Sequence, residues 1–157
     1  MRKITLICVL VLVAVLSLFV GCGVKSSSAF EGVPQEVEDC VNTYLETWRT
    51  EGASASGELA YFMNDEYRAA SMASNQELES YTVENYEEIN PELYSVEITY
   101  VTGWPDDEET DTESAINFVG KIDGEWKFIV NRRSVPEDIR ANFDYDKYAI
   151  SDPNVLD

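Results

Sequence analysis

The chain has 157 residues, thirty acidic side chains against eleven basic ones, a formal charge of −19 and no histidine. A surface so negative repels nucleic-acid phosphates and anionic headgroups, which excludes nucleic acid as a partner and lipid adhesion through the domain's own surface. The missing imidazole removes Ser-His-Asp and Cys-His catalysis and the commonest transition-metal ligand, and the sequence assigns no catalytic residue, no metal and no cofactor.

At the N-terminus, Met1-Arg2-Lys3 precede Ile4 to Val20, an apolar run whose only polar members are Thr5 and Ser17. That is the positive n-region and apolar h-region of an export signal. As a helix the run would reach about 26 Å, slightly less than a bilayer core of about 30 Å. Gly21-Cys22 closes it, and the polar GVKSSS follows. This junction resembles the lipobox of bacterial lipoprotein signal peptides, in which the Cys carries palmitate-like acyl chains and becomes the new N-terminus. Val20 and Gly21 fit that pattern, while Phe19 stands where Leu is usual and Leu18 lies one position earlier. The resemblance implies a signal peptide over 1–21, lipidation of Cys22, and a bacterial envelope protein held outside the cytoplasmic membrane by its lipid. An uncleaved anchor would put the domain on the same side.

Loss of Arg2 and Lys3 with the leader brings the charge to −21. Residues 22–33, rich in Ser and short side chains, read as a flexible tether. Cys8 lies in the leader, so lipidation of Cys22 leaves Cys40 without a disulfide partner.

A single domain is expected over 34–150, with 151–157 a frayed tail. From Pro34 to Gly52, Val37, Cys40, Val41, Tyr44, Leu45 and Trp48 recur at helical spacing, with acids in the first turn and Gly52 as the stop. Cys40 on that stripe reads as a small, inert core residue. Leu59, Phe62, Met63, Ala70 and Ala73 predict a second helix within Gly57 to Ser74, and Gln76 to Glu88 fits neither period. After Asn90-Pro91 the period becomes two: Tyr94, Val96, Ile98 and Tyr100 alternate with polar neighbours as in a half-buried strand.

An acidic turn-forming loop is expected from Gly103 to Glu113, and its carboxylates at 106–113 read as a solvated loop, without the ligand spacing of a calcium-binding hand. Ser114 to Arg133 predicts a hairpin turning at Asp123-Gly124, a pair that favours tight primed turns. A short final helix would pack Ile139 and Phe143. The expected class is α+β, N-terminal helices packed on an antiparallel sheet of three to four strands.

The aromatic-ended first helix, a short second helix and the terminal hairpin with Asp123-Gly124-Glu125-Trp126-Lys127-Phe128 resemble the nuclear-transport-factor-two-like, cystatin-like cone fold. The resemblance spans roughly 34–133. It implies a curved sheet wrapped round the first helix, with a cavity between them lined by Tyr44, Trp48, Phe62, Tyr86, Tyr94, Tyr100, Trp126 and Phe128.

Some members of that superfamily are isomerases or dehydratases that pair a carboxylate with a Tyr in such a cavity. Glu46 and Glu97 are the carboxylates to consider here, but both fall on polar faces. Arg132-Arg133 is the adjacent basic pair of the exported part, a candidate anion contact. The function expected is a noncatalytic small-ligand- or protein-binding domain. The alternatives are a cavity enzyme or an interaction subunit of an envelope assembly, and a homodimer through the sheet is the candidate self-association.

Overall fold

The computed structural model describes residues 30–106 and 108–148. The expected signal peptide, Cys22, most of the expected tether and the tail 151–157 lie outside the described residues.

Helix α1 is Gln35–Glu51, entered through Pro34 in extended geometry and stopped by Gly52 at φ 91°, whose N–H donates to the Trp48 carbonyl at 2.9 Å. Its apolar stripe is buried: Val37, Val41 and Leu45 have no exposed surface. The chain is held where it enters this helix. The Phe30 N–H donates to the Glu38 carboxylate at 3.0 Å, and the Phe30 ring meets Tyr86 edge-on at 4.9 Å.

The second helix expected over Gly57 to Ser74 is instead three pieces. These are α2 (Ala53–Gly57), a two-residue strand β1 (Ala60–Tyr61) and α3 (Asp65–Met72). Asn64 makes the break: its backbone is extended and its Oδ1 accepts from the Tyr67 N–H at 2.9 Å, starting a new helix. No residue of α3 is buried, so apolar spacing there did not mean core.

The ambiguous stretch is one long strand, β2 (Glu77–Asn90), followed by β3 (Leu93–Gly103), β4 (Thr110–Ile122) and β5 (Glu125–Ile129). The sheet has five strands in the order β1-β5-β4-β3-β2, which corrects the expected three to four. It is mixed, because β1 runs parallel to β5 with Ala60 opposite Phe128, while the other pairs are antiparallel. The β2–β3 pairing slips between Leu78 and Ser80, Val83 and Asn85, and Glu88 and Asn90. Each irregularity shifts the alternation by one, which hides a period of two.

Pairing of β3 with β4 continues to Gly103 opposite Thr110, so much of the expected acidic loop is strand. At the β4–β5 turn Asp123 and Gly124 both have positive φ, 52° and 85°, the geometry of a primed turn.

Helix α1 covers one face of the sheet, packing with Val96, Ile98, Val119 and Phe128. The other face is covered by the C-terminal segment, where two 3₁₀ turns, Arg132–Ser134 and Glu137–Ile139, replace the expected helix. Val135, Ile139 and Tyr148 pack there on Leu93, Phe118 and Ile129, with Phe143 beside them. Asn90 fastens this cover, its amide donating to the carbonyls of Ile139 at 3.0 Å and Ala141 at 2.7 Å. No helix among the described residues is long and apolar enough to cross a membrane.

Candidate functional site

A cleft of about 600 Å3 opens between the C-terminal half of α1, the α2–α3 segment and the helix-side face of β3, β4 and β5. Helix spacing brings Tyr44 and Trp48 to its wall, and strand alternation brings Tyr100, Asn117 and Phe128 to its floor. Phe62 and Tyr67 contribute to the side formed by the helical connection. Tyr44 stacks on Phe128 with ring centroids 3.9 Å apart. Trp48 meets Tyr44 at 6.4 Å and Tyr100 at 5.9 Å, tilted by 58° and 49°.

Several polar groups of the cleft are bonded to the protein. The Tyr100 hydroxyl donates to Asn117 Oδ1 at 2.5 Å, and Asn117 Nδ2 donates to the Val130 carbonyl at 2.6 Å. The Trp48 indole N–H donates to the Gln76 carbonyl at 3.1 Å, and the Gln76 amide to Thr102 Oγ1 at 3.0 Å. Burial pushes the Tyr44 phenol up to about 12, and the Tyr100 phenol well above its ordinary value, with Tyr44 and Glu113 adding to the latter shift. Glu113 is exposed in the lining, directly opposite Tyr100 in the β3–β4 register. Among the described lining residues it is the one carboxylate, and there is no Lys or Arg.

Of the eight aromatic residues expected to line a cavity, the structure brings five together: Tyr44, Trp48, Phe62, Tyr100 and Phe128. Tyr86, Tyr94 and Trp126 fall elsewhere. Tyr86 packs on Phe30, while Tyr94 and Trp126 meet edge-on at 5.8 Å. All three lie on the helix side of the sheet, as the resemblance implied, but at its other end, nearer the start of α1.

Asn117 and Glu113 were not singled out from sequence. A usable signal existed for the first: Ala115, Asn117 and Val119 share one parity of β4, and an amide between two apolar residues on a buried face needs a partner.

The remaining candidates lie outside the cleft lining. Glu46 accepts from the Tyr81 hydroxyl at 2.7 Å and pairs with Arg49 at 2.6 Å. The Arg49 hydrogen bond first, and the Tyr81 one second, hold its carboxyl below the usual range, the opposite of what a proton donor at neutral pH needs. Glu97 is exposed on β3. Arg132 donates to the Tyr145 carbonyl at 2.8 Å, and Arg133 is exposed beside it.

Cys40 is half-buried and donates to the Trp126 carbonyl at 3.5 Å. Desolvation pushes its thiol up to about 11 despite Lys127 nearby, which keeps it protonated and unreactive. Among the described residues no group of His, Cys, Asp or Glu is placed to hold a metal ion, and Asp107 of the acidic loop lies outside them.

Fold and cleft together define an α+β domain, a helix on a mixed sheet with an aromatic hollow at one end of the helix. No family model and no curated protein matches the chain. Among solved structures it is similar to an NTF-2-like protein of unknown function from Shewanella oneidensis MR-1. That match has 18% identity and a TM-score of 0.48, over 60% of this chain and 92% of that one. It is also similar to a domain of unknown function with a cystatin-like fold from Nostoc punctiforme PCC 73102. There the identity is 14% and the TM-score 0.45, over 62% of this chain and 75% of that one.

Proposed function

We propose that the protein is a lipid-anchored, noncatalytic binding module of a bacterial cell envelope, with the aromatic cleft as its ligand site. The ligand half rests on the cleft. At about 600 Å3 it falls within the roughly 300–1,000 Å3 of small-molecule sites, and it pairs ring walls with a few fixed polar groups. The carboxylate of the described lining, Glu113, is exposed, and the Tyr100 hydroxyl opposite it is committed to Asn117, which favours binding over the isomerase- or dehydratase-like alternative. The anchoring half rests on the leader and on Cys22 directly after Gly21. Two acyl chains, at about 0.8 kcal/mol per buried methylene, hold a protein stably on a bilayer.

Each half has its own experiment. Cys22→Ala is expected to stop taking up labelled fatty acid; unchanged labelling would overturn lipidation at Cys22. For the cleft, the purified full chain is titrated calorimetrically with small neutral, anionic and cationic ligands. Ala70→Trp then fills the cleft from exposed α3 without entering the core. Saturable binding should disappear in that variant, and binding that survives it lies elsewhere. Should no ligand bind, the interaction-subunit reading is left, with self-association through the outer face of the sheet around Glu97 and Thr99. Light scattering would then read the dimer.

A further inference from the structure

Building on the cleft as a ligand site, we propose that it takes an organic cation of the quaternary ammonium type, held against Trp48, Tyr44 and Tyr100 with Glu113 as its counter-charge. Three observations converge on this class.

The first is what the wall offers. Trp48 is half-buried in the lining and meets Tyr44 and Tyr100 at oblique angles of 58° and 49°; those two are only 6% and 9% exposed, so Trp48 offers most of the ring surface a guest can reach. Ring faces carry the negative end of the aromatic quadrupole, and Trp attracts an onium head most strongly.

The second is what the floor withholds. Three donors beside the rings are already committed. The Tyr100 hydroxyl proton goes to Asn117, the Asn117 amide to Val130, and the Trp48 N–H to Gln76. Tyr100, Asn117 and Trp48 therefore offer a guest π faces and oxygen lone pairs in place of donated protons, which suits a cation without N–H donors of its own.

The third is charge. The β3–β4 register sets Glu113 opposite Tyr100, and no Lys or Arg appears among the described residues of the lining. The formal charge of −19 extends the attraction into solvent and would steer a cation inward at low salt. A carboxylate or phosphate ligand would find no cationic partner among the described residues of the lining.

The experiment compares choline with its neutral carbon isostere, in which a tert-butyl group replaces the trimethylammonium. Shape and hydroxyl are the same and only the charge differs. Calorimetry on the full chain should show saturable choline binding and about tenfold or weaker binding of the isostere. Glu113→Gln and Trp48→Leu should each weaken choline by about three- to tenfold, Glu113→Gln doing so with an unchanged melting temperature. If Trp48→Leu does not fold, Ala70→Trp serves in its place and should abolish binding.

Equal affinity for choline and the isostere would overturn the cation while leaving the cleft as a ligand site. Choline binding that survives Ala70→Trp would place the cation elsewhere on the acidic surface and overturn the assignment. Failure of choline alone, with another ligand bound and blocked by Ala70→Trp, would also reject the cation and keep the cleft. Failure of every ligand would reject both.

Discussion

Asn117 shows how much one buried amide organises. It accepts from Tyr100 and donates to Val130 across three strands' worth of sheet, and it is 5% exposed. Asn117→Leu removes both partners at once and strands a phenol and a carbonyl away from water. Each unsatisfied group costs about 1–3 kcal/mol, so urea denaturation should show a loss of about 2–5 kcal/mol. Tyr100→Phe should cost less than Asn117→Leu, since it strands a single acceptor. The phenols make a second prediction. Tyr44 and Tyr100 have raised pKa values through desolvation, so the folded protein holds these protons more tightly than the unfolded chain. Their stabilisation is complete below the unfolded value of about 10 and is lost as pH climbs through the folded values. Denaturant midpoints should therefore fall steeply above about pH 10, and Tyr100→Phe should flatten part of that fall. The site residues differed in how readily they could be read. Tyr44 and Trp48 were legible because a helix repeats its face over several turns. Glu113 was not, because one acid in an acidic run carries no pattern until the register sets it opposite Tyr100.

Among the elements, legibility followed the regularity of each one. Helix α1 and the β4–β5 hairpin were clear, the first from an unbroken stripe and the second from Asp123-Gly124. Strand β2 was opaque because three irregularities reset its alternation within fourteen residues. The 57–74 segment misled because its apolar residues build no core: Leu59 and Met63 stay exposed at 37% and 49%, while Phe62 and Ala70 line the cleft. The cover formed by the C-terminal segment depends on one close approach that composition does not reveal. A Cβ on Gly120 would come within 2.6 Å of Ile139 Cδ1 and 2.9 Å of Ile129 Cδ1. Gly120→Ala should therefore destabilise by about 1–3 kcal/mol through overpacking between β4 and that cover. Ile139→Val removes the nearer methyl, and the double variant should recover part of the loss. Strict additivity of the two single effects in a denaturation cycle would show that the contact does not couple them.

Taken whole, the molecule carries a charge that works against its own compactness. At −19 the repulsion among surface carboxylates is long-ranged in dilute buffer, where the screening length is about 30 Å at 0.01 M and about 10 Å at 0.1 M. Added salt should raise the melting temperature, each 1 kcal/mol of relieved repulsion being worth roughly 4 °C or more for a domain of this size. A flat or falling response would mean that favourable ion pairs, such as Lys147 with Glu87 at 2.5 Å, outweigh the repulsion. Composition made this balance readable in advance, whereas the two-sided covering of the sheet required the fold. One further property follows from where the chain enters. Phe30 is clamped by Glu38 and Tyr86 at the start of α1, while the cleft lies beside Trp48, about 15 Å further along the helix axis. The chain's entry and the cleft thus occupy separate ends of one rod. A neighbour fused ahead of residue 30 is expected to leave the mouth in its present shape, which makes the domain a portable cassette.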